Sequence, residues 1–99
     1  IQFLHNIEDS VGSIQRSLDY LRNSVTSKND LLSLSQTNIK TDELLHELQQ
    51  LNKIHSLPVI LKNRIFALEG TCIDLKNSLT SLIERMSEQE FKEKKFKEF

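Results

Sequence analysis

The chain has 99 residues, 27% of them charged, and a formal net charge of −1 at pH 7. That length suits one domain at most, and the balanced charge argues against nucleic acid as the main partner, because phosphate binding needs a basic surplus or a basic face. Two glycines, one proline and no tryptophan leave too few turn residues for a multi-stranded sheet with its loops, and no apolar run approaches the roughly 20 residues of a membrane span. No secretory signal is visible. The first residue is Ile1 rather than methionine, so a fragment of a longer subunit is expected.

The expected fold class is all-α: two long amphipathic helices of coiled-coil or helical-bundle type, with a break or kink near Ser56-Pro58. The first helical segment covers 1–55. Leu4, Ile7, Val11, Ile14, Leu18, Leu21 and Val25 are spaced alternately three and four residues apart. That is an unbroken heptad seam, which predicts a helix with one face turned to a partner. Glu8, Asp9, Ser13, Gln15, Arg16, Asp19 and Arg22 fill the positions between and face solvent.

The seam then slips across the polar run Thr26-Ser27-Lys28-Asn29-Asp30. In phase, it continues through Lys28, Leu32, Ser35 and Ile39; shifted, it runs through Leu31, Leu34, Asn38, Thr41, Leu45, Leu48 and Asn52. Neither phase is clean. Two readings fit: a helix break with Asn29 or Asp30 as a new N-cap, or a continuous helix with a stutter. The absence of Gly and Pro favours continuity. Asn38, Thr41 and Asn52 on the seam are expected to lower its stability while fixing register and partner choice.

Pro58 is the only proline. Inside a helix it removes a hydrogen bond and clashes with the preceding turn, at about 3 kcal/mol, and it disfavours helical geometry at Leu57. A proline is welcome in a first turn, and Ser56 is a plausible N-cap. A break at residues 55–57 is therefore favoured over a kinked continuous rod. The second helix covers 56–90. Leu61, Ile65, Leu68, Cys72, Leu75, Leu79, Leu82 and Met86 repeat the alternating four and three spacing. Val59, Ile60, Phe66, Ile73 and Ile83 widen the stripe, which implies packing against more than one helix. Gly70 within this block costs about 1 kcal/mol relative to Ala. Residues 91–99 form a charged tail with Phe91, Phe96 and Phe99, either frayed or a further contact stripe. Glu90-Lys94 and Glu93-Lys97 at i,i+4 favour continued helix.

No grouping of residues supports catalysis, and the chain is not expected to be an enzyme or to carry a cofactor or metal. His5, His46 and His55 are scattered. Asp42 and His46 share a helix face in "DELLHEL", half a metal site without the rest of a ligand set. Cys72 sits between Leu68 and Leu75 and reads as a small core residue rather than a reactive thiol. A lone cysteine and the lack of any Asn-x-Ser/Thr site fit a reducing compartment, cytosol or nucleus. Lys92, Lys94, Lys95 and Lys97 alternate with Glu88, Glu90, Glu93 and Glu98, a solvated helix end before a membrane or nucleic-acid patch. A peripheral membrane contact through the Phe and Lys tail is the second functional class.

Two helices with seams this long cannot bury them all against each other, and an exposed apolar patch of that length marks an interface. Partners are therefore expected to be other helical subunits of a hetero-oligomer. The expected helix–helix interface comprises Leu4, Ile7, Val11, Ile14, Leu18, Leu21, Leu61, Ile65, Leu68, Cys72, Leu75, Leu79, Leu82 and Met86.

The stretch from His55 to Lys95 resembles the carboxyl-terminal helices of small subunits of the biogenesis of lysosome-related organelles complex one and of the related lysosome-positioning complex, BORC. Leu57-Pro58 at the hinge, Ala67-Leu68-Glu69, and Leu75, Leu79 and Leu82 carry the likeness. It implies a non-enzymatic coiled-coil subunit of a cytosolic complex in endosome and lysosome traffic, peripheral to those membranes. A competing resemblance links Asp30 to Leu48, "DLLSLSQTNIKTDELLHEL", to coiled-coil regions of tethering-complex subunits of the conserved oligomeric Golgi and exocyst kind. A kinetochore or cytoskeletal helical scaffold shares the architecture without a motif in its favour.

Overall fold

A computed structural model describes the backbone of residues 2–24 and 28–97, and the side chains of 2–23 and 30–88. Three α-helices account for nearly all of it: α1 (Gln2–Ser24), α2 (Lys28–Asn52) and α3 (Val59–Lys97). No strand, cis peptide or positive-φ residue occurs among the described residues. The all-helical class is as the spacing predicts, but the first segment is two helices rather than one.

Cross-helix contacts give the directions. Arg64 on α3 donates to the carboxylate of Glu8 on α1, and Arg22 Nη2 on α1 donates to Ser78 Oγ on α3 at 3.2 Å. Both pairs are 56 residues apart, eight times seven, so α1 and α3 run parallel and in heptad register. Between α2 and α3, Lys76 Nζ lies 2.5 Å from Asp42 Oδ1, as in an antiparallel hairpin. The second helix therefore runs back along α1. The continuous helix expected for the first segment is instead two, α1 ending at Ser24 and α2 beginning at Lys28, and Asn29 and Asp30 lie inside the first turn of α2 rather than at its cap. Residues 25–27 fall outside the described residues, and Val25 of the first seam with them.

The second boundary sits at Pro58. The end of α2 tightens, with Lys53 N donating to Gln50 O at 3.2 Å and Ile54 N to Leu51 O at 3.0 Å, the short-range bonds by which helices finish. The first bond of α3 runs from Lys62 N to Pro58 O at 3.0 Å. Pro58 is thus the capping residue itself, in place of Ser56. It suits the role because its missing N–H is not needed there while its carbonyl is.

From Val59 to Lys97, α3 has 39 residues, about 58 Å at 1.5 Å per residue. This sets the long axis of a molecule measuring 63 × 20 × 15 Å. Its backbone stays helical through the lysine-rich stretch, whereas Phe91, Phe96 and the tail's Glu–Lys pairs lie beyond the described side chains and Phe99 beyond the described residues.

The core runs down the middle of the three helices. The first contributes Leu4, Ile7, Val11, Ile14, Leu18 and Leu21; the second, Leu34, Thr41, Leu44 and Leu48; the third, Ile65, Cys72, Leu75, Leu79 and Leu82. Each fully buried Leu, Ile or Val contributes about 1.5–3 kcal/mol relative to an exposed one.

The seam of α2 follows the shifted phase at every second position, where Leu34, Thr41 and Leu48 are fully buried, and departs from it at the alternate ones. Leu32 and Ile39 of the in-phase row face outward, and Leu31, Asn38, Leu45 and Asn52 of the shifted row are only half-buried. The row that faces the core is Leu34, Thr37, Thr41, Leu44, Leu48 and Leu51, spaced alternately three and four. It is a full heptad seam with threonine at two positions. Thr41 Oγ1 donates to Thr37 O, and Thr37 Oγ1 to Ser33 O, each at 2.8 Å. The Thr41 hydroxyl is satisfied on its own helix, so that residue packs like a valine, while Thr37 lies at the margin of the core.

Candidate helix-packing face

The side chains expected at a helix–helix interface all lie against one core. Leu4, Ile7, Val11, Ile14, Leu18, Leu21, Ile65, Cys72, Leu75, Leu79 and Leu82 are buried, and Leu61, Leu68 and Met86 are partly buried against them. What covers them in this structure is the chain's own three helices, packed on one another. The rest of the core comes from Leu34, Thr41, Leu44 and Leu48 on α2.

The polar candidates remain apart. His5 Nδ1 lies 3.6 Å from Glu8 Oε1, while His46 and His55 are exposed. The acid expected beside His46, Asp42, instead pairs with Lys76 across the hairpin. No cluster of three or more His, Cys, Asp and Glu residues that could hold a metal exists among the described residues. The Cys72 thiol is fully buried. Burial pushes its pKa up, and the nearby Glu69 carboxylate adds to the shift, opposite to what a nucleophilic thiol requires. An open groove of about 630 Å³ between α1 and α3 is lined by Arg16, Asp19, Arg22, Asp74 and Ser78. It is shallow, and Ser78 Oγ there accepts the hydrogen bond from Arg22. No described helix is long and apolar enough to cross a membrane.

The remaining feature is apolar and faces out. On α3, Val59, Ile60, Phe66 and Ile73 are 71%, 74%, 68% and 46% exposed. The extra apolar residues of this helix were expected to pack against neighbours. One does: Ile83 joins the core margin. The other four stay uncovered, because α1 and α2 occupy the flanks of the Ile65–Leu82 seam and leave the opposite side open. Val59, Phe66 and Ile73 recur every seven residues, and exposed Asn63, Ala67 and Gly70 lie beside them without a charge. A smaller outward pair, Leu32 and Ile39, sits on α2.

Compared with protein-family models, curated proteins and solved structures, the chain matches none of them. The geometry therefore carries the functional reading, together with the resemblances drawn from residues 55–95 and 30–48.

Proposed function

We propose that this chain is a non-enzymatic helical subunit that acts by helix–helix assembly in a hetero-oligomeric complex of endosome and lysosome membrane traffic. The observation that supports assembly is the uncovered stripe of Val59, Ile60, Phe66 and Ile73 on α3. Single exposed apolar residues are ordinary, but a heptad-spaced apolar row along one helix face marks an interaction surface. With the seams closed within the chain, this row replaces the seams as the contact offered to other subunits. The traffic assignment, and a place on the cytosolic side of those membranes, rests on the resemblance of the hinge and third helix to small subunits of the lysosome-related complexes.

The test is a tagged pull-down from cytosol with the wild-type chain and with Phe66→Lys, followed by mass spectrometry of stoichiometric partners. Phe66 is mostly exposed, so the substitution leaves the core intact. Short helical chains in equal amounts, lost with Phe66→Lys, are the expected result. Large rod-bodied subunits would move the chain to a tethering complex, and cytoskeletal or kinetochore subunits to a scaffold. Partners retained in full by Phe66→Lys would remove the α3 stripe from the interface.

A further inference from the structure

We infer that the uncovered stripe of α3 pairs with the same stripe of a second copy of the chain, the two α3 helices lying antiparallel about Phe66. This rests on the reading of the stripe as an assembly surface and adds that two copies of the chain meet there within the complex.

The sequence of the face is self-complementary under a two-fold axis. Setting Phe66 opposite Phe66 of the second copy places Val59 opposite Ile73, seven residues to either side. All three are largely exposed in the single chain. The same register sets Lys62 level with Glu69 of the second copy.

The charges agree with that register. Neither Lys62 nor Glu69 forms an ion pair among the described residues. Lys62 and Glu69 are themselves seven apart, so they border the apolar row on the same side. An antiparallel pair brings like borders together, which makes two symmetric Lys62–Glu69 contacts. A parallel pair would instead set both residues against the border of Asn63, Gly70 and Asp74, where Glu69 meets no cation. Antiparallel pairing is thus the arrangement in which apolar and charged positions match together, and a two-fold contact closes on itself rather than growing into a filament.

The row runs from Val59 to Ile73, 14 residue steps or about 21 Å of helix. That is short against standard protein interfaces, so the dimer is weak, with a Kd of about 1–100 μM.

Sedimentation velocity on the 99-residue chain, from about 1 μM to about 1 mM, should show the mass doubling. Phe66→Lys should hold it monomeric with unchanged helical circular dichroism. Lys62→Glu should weaken association at least tenfold, and Lys62→Glu with Glu69→Lys should restore it. Orientation is read by oxidation: Phe66→Cys alone should form a disulfide-linked dimer. Val59→Cys should do so only when mixed with Ile73→Cys. A chain monomeric throughout, or a dimer indifferent to Phe66→Lys, overturns the proposal. So does cross-linking of Val59→Cys with itself, which marks a parallel pair. The assembly reading fails separately, when Phe66→Lys keeps every partner in the pull-down.

Discussion

Thr41 shows how a polar residue sits in a dry core. It has no exposed surface, and its hydroxyl is bonded to a carbonyl of its own helix. That carbonyl already belongs to the helical ladder, so the side-chain bond only partly offsets removing the hydroxyl from water. Valine has the same shape without that cost. Thr41→Val is expected to stabilise the chain by about 1 kcal/mol, and in a domain of this size thermal melting should show a Tm rise of about 4–8 °C. A fall in Tm would mean that the hydroxyl has another role in the native packing. Cys72 provides a second test. Its folded-state pKa is raised above the ordinary value of 9.0, so the folded state holds its proton longer than the unfolded state does. The associated stability is complete below pH 9.0 and is lost as pH rises through the folded value. A thiol reagent at neutral pH should label Cys72 only as fast as the chain unfolds, with full labelling in denaturant. Rapid labelling of the native chain would contradict its burial.

Among the helices, α3 acts as the spine, with α1 parallel and α2 antiparallel to it. The polar cross-links contribute little by comparison with the apolar seam. Asp42–Lys76 is almost half exposed on both sides, and such pairs are worth about 0–1 kcal/mol. A seam leucine truncated to Ala costs about 2–5 kcal/mol from a total of about 5–15, and a charge placed there costs more. Leu75 is buried within the chain's own core, so Leu75→Asp should unfold the chain itself rather than only detach partners. Loss of the far-UV helical signal at 25 °C is the expected readout; a folded Leu75→Asp chain would mean that Leu75 faces another subunit.

At the scale of the whole molecule, the three helices close one core and leave one side of the spine uncovered. This separation of fold from contact surface makes the stripe variants informative: Phe66 can change without removing any core side chain, whereas a seam residue cannot. The same geometry distinguishes assembly from folding in the pull-down and sedimentation experiments.

The sequence by itself determined the helical class, the seams of the first and third helices and the boundary at Pro58. Leu, Ile and Val at heptad spacing and a single proline are strong local signals. The seam of α2 was half legible: Leu34, Thr41 and Leu48 recur every seven residues and are buried, but adjacent Leu44 and Leu45 both suit the alternate position and only packing selects Leu44. Nor did local signals reveal the reversal between the first two helices, since no Gly or Pro occurs between Ser24 and Asp30. Heptad spacing places residues on one face of a helix without saying which helix covers that face. Only the tertiary structure decided that the covering helices are the chain's own, because coverage depends on where the chain turns back and on how many helices share a single core.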